Sequence, residues 1–176
     1  MNQLKFVDSY IVFDTETTGL HDQVDHIIEI GALKVIQNEI VEEFDMLINP
    51  GTPIPEIITK ITGITTEMIS HEKKIEDVLP EFLTFIEDLP LICHNAPFDI
   101  GFMNAALQKA NLPILKNQAL DTIEFARIYI PKAYNYKLET LKNYFKLDFG
   151  SHRSVEDCKT THYIYQECKK RASQVV

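Results

Sequence analysis

Three cysteines are all that 176 residues contain. Cys93, Cys158 and Cys168 form neither a C-x-x-C pair nor an even framework of bridges. This excludes a disulfide-stapled secreted scaffold and suits a reducing cytosol, with Cys93 expected as a small core residue. No segment approaches 18 continuous apolar residues, so no membrane span is expected, and "MNQLKFVDSY" lacks the apolar centre of a signal peptide. Repeats, low-complexity tracts and Gly/Ser linkers are also missing. The expectation is therefore one domain, residues 1–176 with a core of about 8–172, soluble and cytoplasmic, without a membrane partner. Basic side chains are scarce, 17 Lys and Arg against 26 Asp and Glu, giving a net charge of −9. That balance excludes a basic nucleic-acid coat. It leaves room for an enzyme that holds a short piece of nucleic acid through bound cations.

What is present is the 45% hydrophobic content of an ordinary globular chain. Tyr10–Asp14 reads as a first strand. Two apolar runs in "HIIEIGALKVIQNEIVEEFDMLI", divided by "QN", predict an antiparallel hairpin. After the turn-rich "NPGTPIP" come short helices through "EIITKITGI" and "TTEMI". The spacing of Val78, Leu79, Phe82, Leu83, Phe85, Ile86 and Leu89 predicts an amphipathic helix from Ile75. "LIC" is a short buried strand, and Asn95 with Pro97 predicts a helix start capped by Asn95. "QAL" is another strand before Asp121, followed by helices through "TIEFARIYI", around Leu138–Phe145, and from about Ser154 to Lys170. Hairpin strands followed by strands alternating with helices predict an α/β fold, a mixed sheet flanked by helices.

Four acids stand out. Asp14 and Glu16 in "YIVFDTETTGL" lie two residues apart at the end of an apolar strand, so they share a face. Hydration there is limited, and two like charges on one face drive one carboxyl to keep its proton. A divalent cation removes the conflict, and oxygen-only ligands suit Mg²⁺ or Mn²⁺. Asp99 and Asp157 each fall in the first turn of an expected helix. The helix dipole alone accounts for acids there, and "SVED" matches a capping box with aspartate in the last place. Together the four acids are enough for two such ions. His152, five residues before Asp157, then becomes a candidate general base. Gly150 and Ser151 before it predict a mobile loop that orders on nucleotide binding. His21, His26, His71 and His162 are expected at the surface.

"FDTETTGL", "HNAPFDIGFM" and "HRSVED", in that order, resemble the three motifs of the DEDDh 3′→5′ exonucleases, in the branch of bacterial DNA polymerase III proofreading subunits and the exonuclease domain of the Gram-positive replicative polymerase. The resemblance spans Asp14 to Asp157. It implies an RNase H-like fold with a mixed five-stranded sheet, and two divalent ions, Mg²⁺ or Mn²⁺, held by Asp14, Glu16, Asp99 and Asp157. With His152 as general base, a 5′-mononucleotide leaves the 3′ end of DNA. Thr17, Gly19 and Leu20 would meet the terminal nucleotide, Leu20 as a wedge; Asn95 would bond sugar or phosphate, Phe98 would stack on a base, and Ile64 would line the same pocket. Core packing is an equally good reading of Phe98. Thr62 stands where many relatives carry histidine, and Ser154 where alanine is usual.

The implied partners are DNA 3′ ends, single-stranded or frayed, with a DNA polymerase as a further candidate. An RNA 3′ exonuclease of the same superfamily is the main alternative, although Thr17 and Thr18 match the DNA-proofreading branch. A non-catalytic metal-binding module that assists a polymerase is the alternative of another class, and the intact acids and His152 count against it.

Overall fold

The computed structural model describes residues 5–174. Its strands are β1 (Tyr10–Thr17), β2 (Ile27–Ile36), β3 (Glu39–Leu47), β4 (Leu91–Cys93) and β5 (Ala119–Asp121). Its helices are α1 (Glu56–Thr62), α2 (Thr66–Ile69), α3 (Ile75–Ile86), α4 (Ala96–Lys109), α5 (Thr122–Tyr129), α6 (Leu138–Phe145) and α7 (Ser154–Ser173). The strands form one sheet in the order β3-β2-β1-β4-β5. The β1–β2 and β2–β3 pairs are antiparallel, and β4 lies parallel to both β1 and β5. This is the mixed five-stranded sheet flanked by helices that the sequence predicts.

The hairpin turns at Gln37 and Asn38, both with positive φ (52° and 68°), the turn geometry that matches the twist of paired strands. Alternation along β1 divides the core. Ile11 and Phe13 pack with α3 and α4, against Phe82, Phe102 and Met103. Tyr10 and Val12 pack with α5 and α7, against Phe125, Ile164 and Tyr165. A third cluster, Ile28, Ile54, Ile64 and Ile69, closes the far end of β2 beneath α1 and α2. Among the described residues, no helix is long and apolar enough to cross a membrane.

Several expectations change. β1 does not stop at Asp14 but continues to Thr17, so both acids lie within the strand, paired to β2. α3 ends at Ile86, leaving Leu89 beyond it, and α7 runs to Ser173. Asn95 precedes α4 but does not cap it: it is left-handed (φ 74°), and its side chain accepts nothing from the helix. The Asp121 carboxylate does that work instead. It accepts the Asn95 and Ala96 amides (3.0 and 3.2 Å) and the Ile123 amide (2.9 Å), joining the starts of α4 and α5.

Candidate active site

The β1–β2 register explains why acids collect here. On the face toward α7 the facing pairs are Tyr10–Val35, Val12–Leu33, Asp14–Gly31 and Glu16–Glu29. The ladder begins apolar and ends acidic. Gly31, opposite Asp14, has no side chain, and a Cβ there would meet the Val155 amide nitrogen at 2.4 Å and the Ser154 carbonyl carbon at 2.5 Å. The missing side chain is what lets the N-terminus of α7 rest on the strands.

Glu29 anchors that helix end. It is fully buried and accepts from Arg153 (2.7 and 2.6 Å) and from the Ser154 amide (2.8 Å). The "SVED" capping box therefore does not form. Ser154 is the first helical residue, its hydroxyl is buried without a hydrogen-bond partner, and Glu29 supplies the cap from across the sheet. So anchored, α7 presents Asp157 one turn later. Ligand oxygens of Asp14, Glu16 and Asp157 lie within 4.8 Å of one another.

Asp99 arrives from the opposite face. Buried in the first turn of α4, it accepts from the Thr15 amide (2.9 Å) and the Thr15 hydroxyl (2.8 Å). It is thus fastened to the residue between Asp14 and Glu16. Burial pushes all four carboxyls up, and for Asp14 and Glu16 repulsion from the other acids adds to it. Asp14 is raised well above its ordinary value, by burial and then by Asp99, Asp157 and Glu16. Burial raises Glu16 to about 8, with Asp157 and Glu29 adding to it. Asp99 is raised to about 7 by burial, against the lowering effect of the Thr15 hydrogen bonds. Asp157 is raised to about 6 by burial, against the His152 amide. Such a cluster is electrostatically incomplete, and its all-oxygen donors are the kind a hard divalent cation takes.

His152 is exposed, with φ 58°, and its amide donates to Asp157 Oδ2 (3.0 Å). Its loop is tied to both neighbouring helices. Lys142 Nζ donates to the Gly150 carbonyl (2.9 Å), the Gly150 amide donates to Glu156 (3.0 Å), and the Ser151 hydroxyl donates to Glu139 (3.0 Å).

The remaining candidates divide. Leu20 is 78% exposed, at the tip of a loop closed by the Thr18 amide on the His26 carbonyl and the His26 amide on the Thr18 hydroxyl. A Cβ on Gly19 would meet the Asp25 carboxylate at 2.4 Å, so a side chain there would push Asp25 away from the His21 amide it accepts. The Thr17 hydroxyl donates to the Gly19 carbonyl (2.6 Å), which leaves backbone as its contribution. Phe98 is half-buried against Phe102, ring centroids 4.8 Å apart, so it serves the core and still shows an edge. Asn95 is exposed beside the start of α4.

Ile64 is a correction. Its side chain is completely buried with Ile28, Ile54 and Ile69 and does not line a substrate pocket. Thr62 is local too, its hydroxyl donating to the Ile58 carbonyl (3.0 Å) and accepting the Ile64 amide (3.1 Å). His162 is likewise half-buried rather than superficial, 3.1 Å from the Tyr10 hydroxyl. Glu29, Arg153 and Asp121 are not singled out by the sequence patterns. Glu29 had a signal, an acid inside the apolar run "HIIEIGAL", the same anomaly that marks Asp14.

A family model described as Exonuclease (RNase_T) matches residues 11–165. The chain is similar to DNA polymerase III PolC-type of Caldanaerobacter subterraneus subsp. tengcongensis, 41% identical over 167 residues, 94% of this chain and 12% of the relative. It is also similar to the PolC-type enzyme of Bacillus subtilis, 37% identical over 169 residues, 95% of this chain and 12% of the relative. This chain thus spans about 12% of the length of the curated relatives it matches. Among solved structures, Exonuclease X in complex with 5′ overhanging duplex DNA is similar at 28% identity and a TM-score of 0.74, covering 93% of each chain. E. coli Exonuclease I with a dA16 oligonucleotide shares the fold, with a TM-score of 0.82 at 15% identity, over 96% of this chain and 42% of that one.

Proposed function

Because this chain belongs to the exonuclease family, whose model spans most of its length, we propose that it is a 3′→5′ exonuclease that removes 5′-mononucleotides from DNA, in proofreading or repair. The observation that carries the reading is the Asp14, Glu16 and Asp157 cluster, oxygens within 4.8 Å, with Asp99 fastened alongside through Thr15. The DNA preference is supported by the relatives: a polymerase III of the PolC type and an exonuclease in complex with DNA.

The donor set fits divalent cations. Every ligand is a carboxylate oxygen, and all four groups are pushed toward their protonated forms, a state a bound cation reverses. Asp14, Glu16 and Asp157 would hold one ion, and Asp14 with Asp99 a second, Mg²⁺ or Mn²⁺. When bound, such ions supply charge stabilisation to the phosphate and lower the pKa of water. The chain's own residues do the rest. The His152 imidazole takes the proton of the attacking water at one ring nitrogen, its backbone being tethered beside the acids by the amide on Asp157. Water attacks phosphorus, the bond to the 3′-oxygen breaks, and that oxygen leaves with the shortened strand. Leu20, the Thr17–Gly19 backbone, Asn95 and the Phe98 edge position the terminal nucleotide.

The test is release of labelled mononucleotide from single-stranded DNA with Mg²⁺ or Mn²⁺, alongside a matched RNA. Asp14→Ala is expected to abolish release, and His152→Ala to slow it by about 10²–10⁴-fold. Release unchanged in Asp14→Ala would overturn the reading, and faster cleavage of RNA would reassign its substrate.

A further inference from the structure

In a chain of net charge −9, the stretch from Arg127 to Lys137, "RIYIPKAYNYK", holds three cations, three tyrosines and no acid. Arg127, Lys132 and Lys137 are all exposed. Among the described residues none of the three forms a salt bridge, and neither do Lys5, Lys74, Lys109, Lys116, Lys142, Lys146 and Lys170; what sets this stretch apart is that its cations stand close together in sequence with an exposed aromatic residue and no acid between them. Between them stands Tyr134, 95% exposed. An aromatic ring left in water beside unpaired cations gains nothing from the fold; it has the composition of a surface that binds bases and phosphates.

Its location connects it to the acids. Arg127, Asn135 and Lys137 line a groove of about 520 Å³ whose other wall includes Asn95, at the C-terminal end of β4. The loop is tied down at its C-terminal end. His94 lies within hydrogen-bond distance of the Tyr136 carbonyl through Nε2 (2.8 Å) and of the Thr122 hydroxyl through Nδ1 (2.8 Å). Since a carbonyl only accepts, Nε2 carries the proton. The Lys137 amide donates to Asn135 Oδ1 (3.0 Å), which closes the turn. A cationic, aromatic ledge, anchored at Tyr136, therefore runs outward from the edge of the candidate site.

We propose that this ledge is a strand-holding site: it binds nucleic acid upstream of the 3′ end, phosphates against Arg127, Lys132 and Lys137 and a base stacked on Tyr134. The assignment rests on the exonuclease reading for the direction of the strand. Stacking accepts any base, and phosphate contacts read no sequence, so the ledge binds without sequence preference. It also reconciles an acidic protein with a polyanionic substrate, because the attraction is concentrated along one path.

The test uses fluorescence anisotropy of a labelled twelve-nucleotide oligothymidylate in Ca²⁺ buffer, on the intact chain. Tyr134→Ala is expected to weaken binding by about five- to a hundredfold, with Tyr134→Phe retaining it. Lys132→Gln with Lys137→Gln lowers the slope of log affinity against log salt by about 1.4. The same charge change at Lys116 and Lys170, exposed residues outside the ledge, leaves the slope within error of wild type. Hydrolysis of the p-nitrophenyl ester of thymidine 5′-monophosphate, which has no upstream strand, is expected unchanged in all ledge variants. No oligonucleotide binding by wild type, or equal affinity and slope in the ledge variants, overturns the ledge. Weakened binding in those variants, with no nucleotide released by wild type, keeps the ledge and removes the exonuclease reading.

Discussion

Replacing Glu16 with glutamine should stabilise the metal-free protein at pH 8 and do almost nothing at pH 5. Burial first, and the facing acids second, raise Glu16 from an ordinary 4.5 to about 8. At 1.36 kcal/mol for each unit of pH between those values, ionising it in the fold costs on the order of 5 kcal/mol; side-chain relaxation and water entry bring this to about 2–3 kcal/mol. A raised folded-state pKa favours the protonated form. The stability linked to Glu16 is therefore complete below about pH 4.5 and is lost as pH rises to about 8. Asp157 and Asp99, raised to about 6 and about 7, act with the same sign. His94 and His162, whose burial lowers their pKa, act with the opposite sign, because their protonation opposes folding as pH falls. The readout is thus the difference between wild type and Glu16→Gln in EDTA, followed by thermal unfolding across pH 5–8. For a chain of this length a gain of 2–3 kcal/mol is about 4–12 °C at pH 8. Mn²⁺ at a hundred times its dissociation constant should raise wild type by about 2.7 kcal/mol and the variant by much less. A pH-independent difference, or equal response to Mn²⁺, would refute the claim that the four carboxyls form one unsatisfied cluster.

Two further outcomes follow from the anchor of α7. Ser154→Ala removes a buried hydroxyl without a partner and should raise stability by about 1 kcal/mol, or 2–4 °C by calorimetry, with nucleotide release unchanged. Arg153→Met strands the buried Glu29 carboxylate and should cost about 3–5 kcal/mol in urea unfolding together with activity, since His152 and Asp157 flank the break; Glu29→Gln, which keeps an acceptor for the Ser154 amide, should lose less on both counts.

Much of this fold is legible because its signals are local. Two positive-φ residues sit where "QN" predicts a turn, and the 3.6-residue spacing from Ile75 builds α3. Three acids marked by an awkward setting, Asp14, Glu16 and Asp157, do converge. What escapes is whatever one element does for another. Asn95 has the residue type and place of a helix cap, yet Asp121 fills that role from a strand 26 residues away. Nothing in the spacing could select it, because the contact exists only once β4 and β5 pair in parallel. "SVED" fails as a capping box for the same reason: Glu29, 125 residues earlier, has taken the Ser154 amide. Ile64 fails differently, since a motif position does not reveal which way a side chain turns after a short helix.

The sheet explains why these long-range substitutions gather in one place. β1 is antiparallel to β2 but parallel to β4, so at β1 the chain changes its mode of connection. The C-terminal ends of β1, β4 and β5 open onto one edge, the situation in which α/β sheets bind ligands. Asp14 and Glu16, the turn at Asn95, and Asp121 each occupy one of those ends. Backbone amides there lack strand partners, and carboxylates supply them: Asp99 to Thr15, Asp121 to α4 and α5, Asp157 to His152. The same acids that finish the backbone therefore make the edge electronegative. Of the acids, Asp14 and Glu16 bond no backbone amide among the described residues, which leaves them the pair with most to gain from a cation. It follows that neutralising Asp121, both of whose carboxylate oxygens accept backbone amides, removes a structural bond along with a charge, whereas neutralising Glu16 removes charge alone. That difference makes Glu16 the position where electrostatic strain can be measured apart from the architecture it sits in.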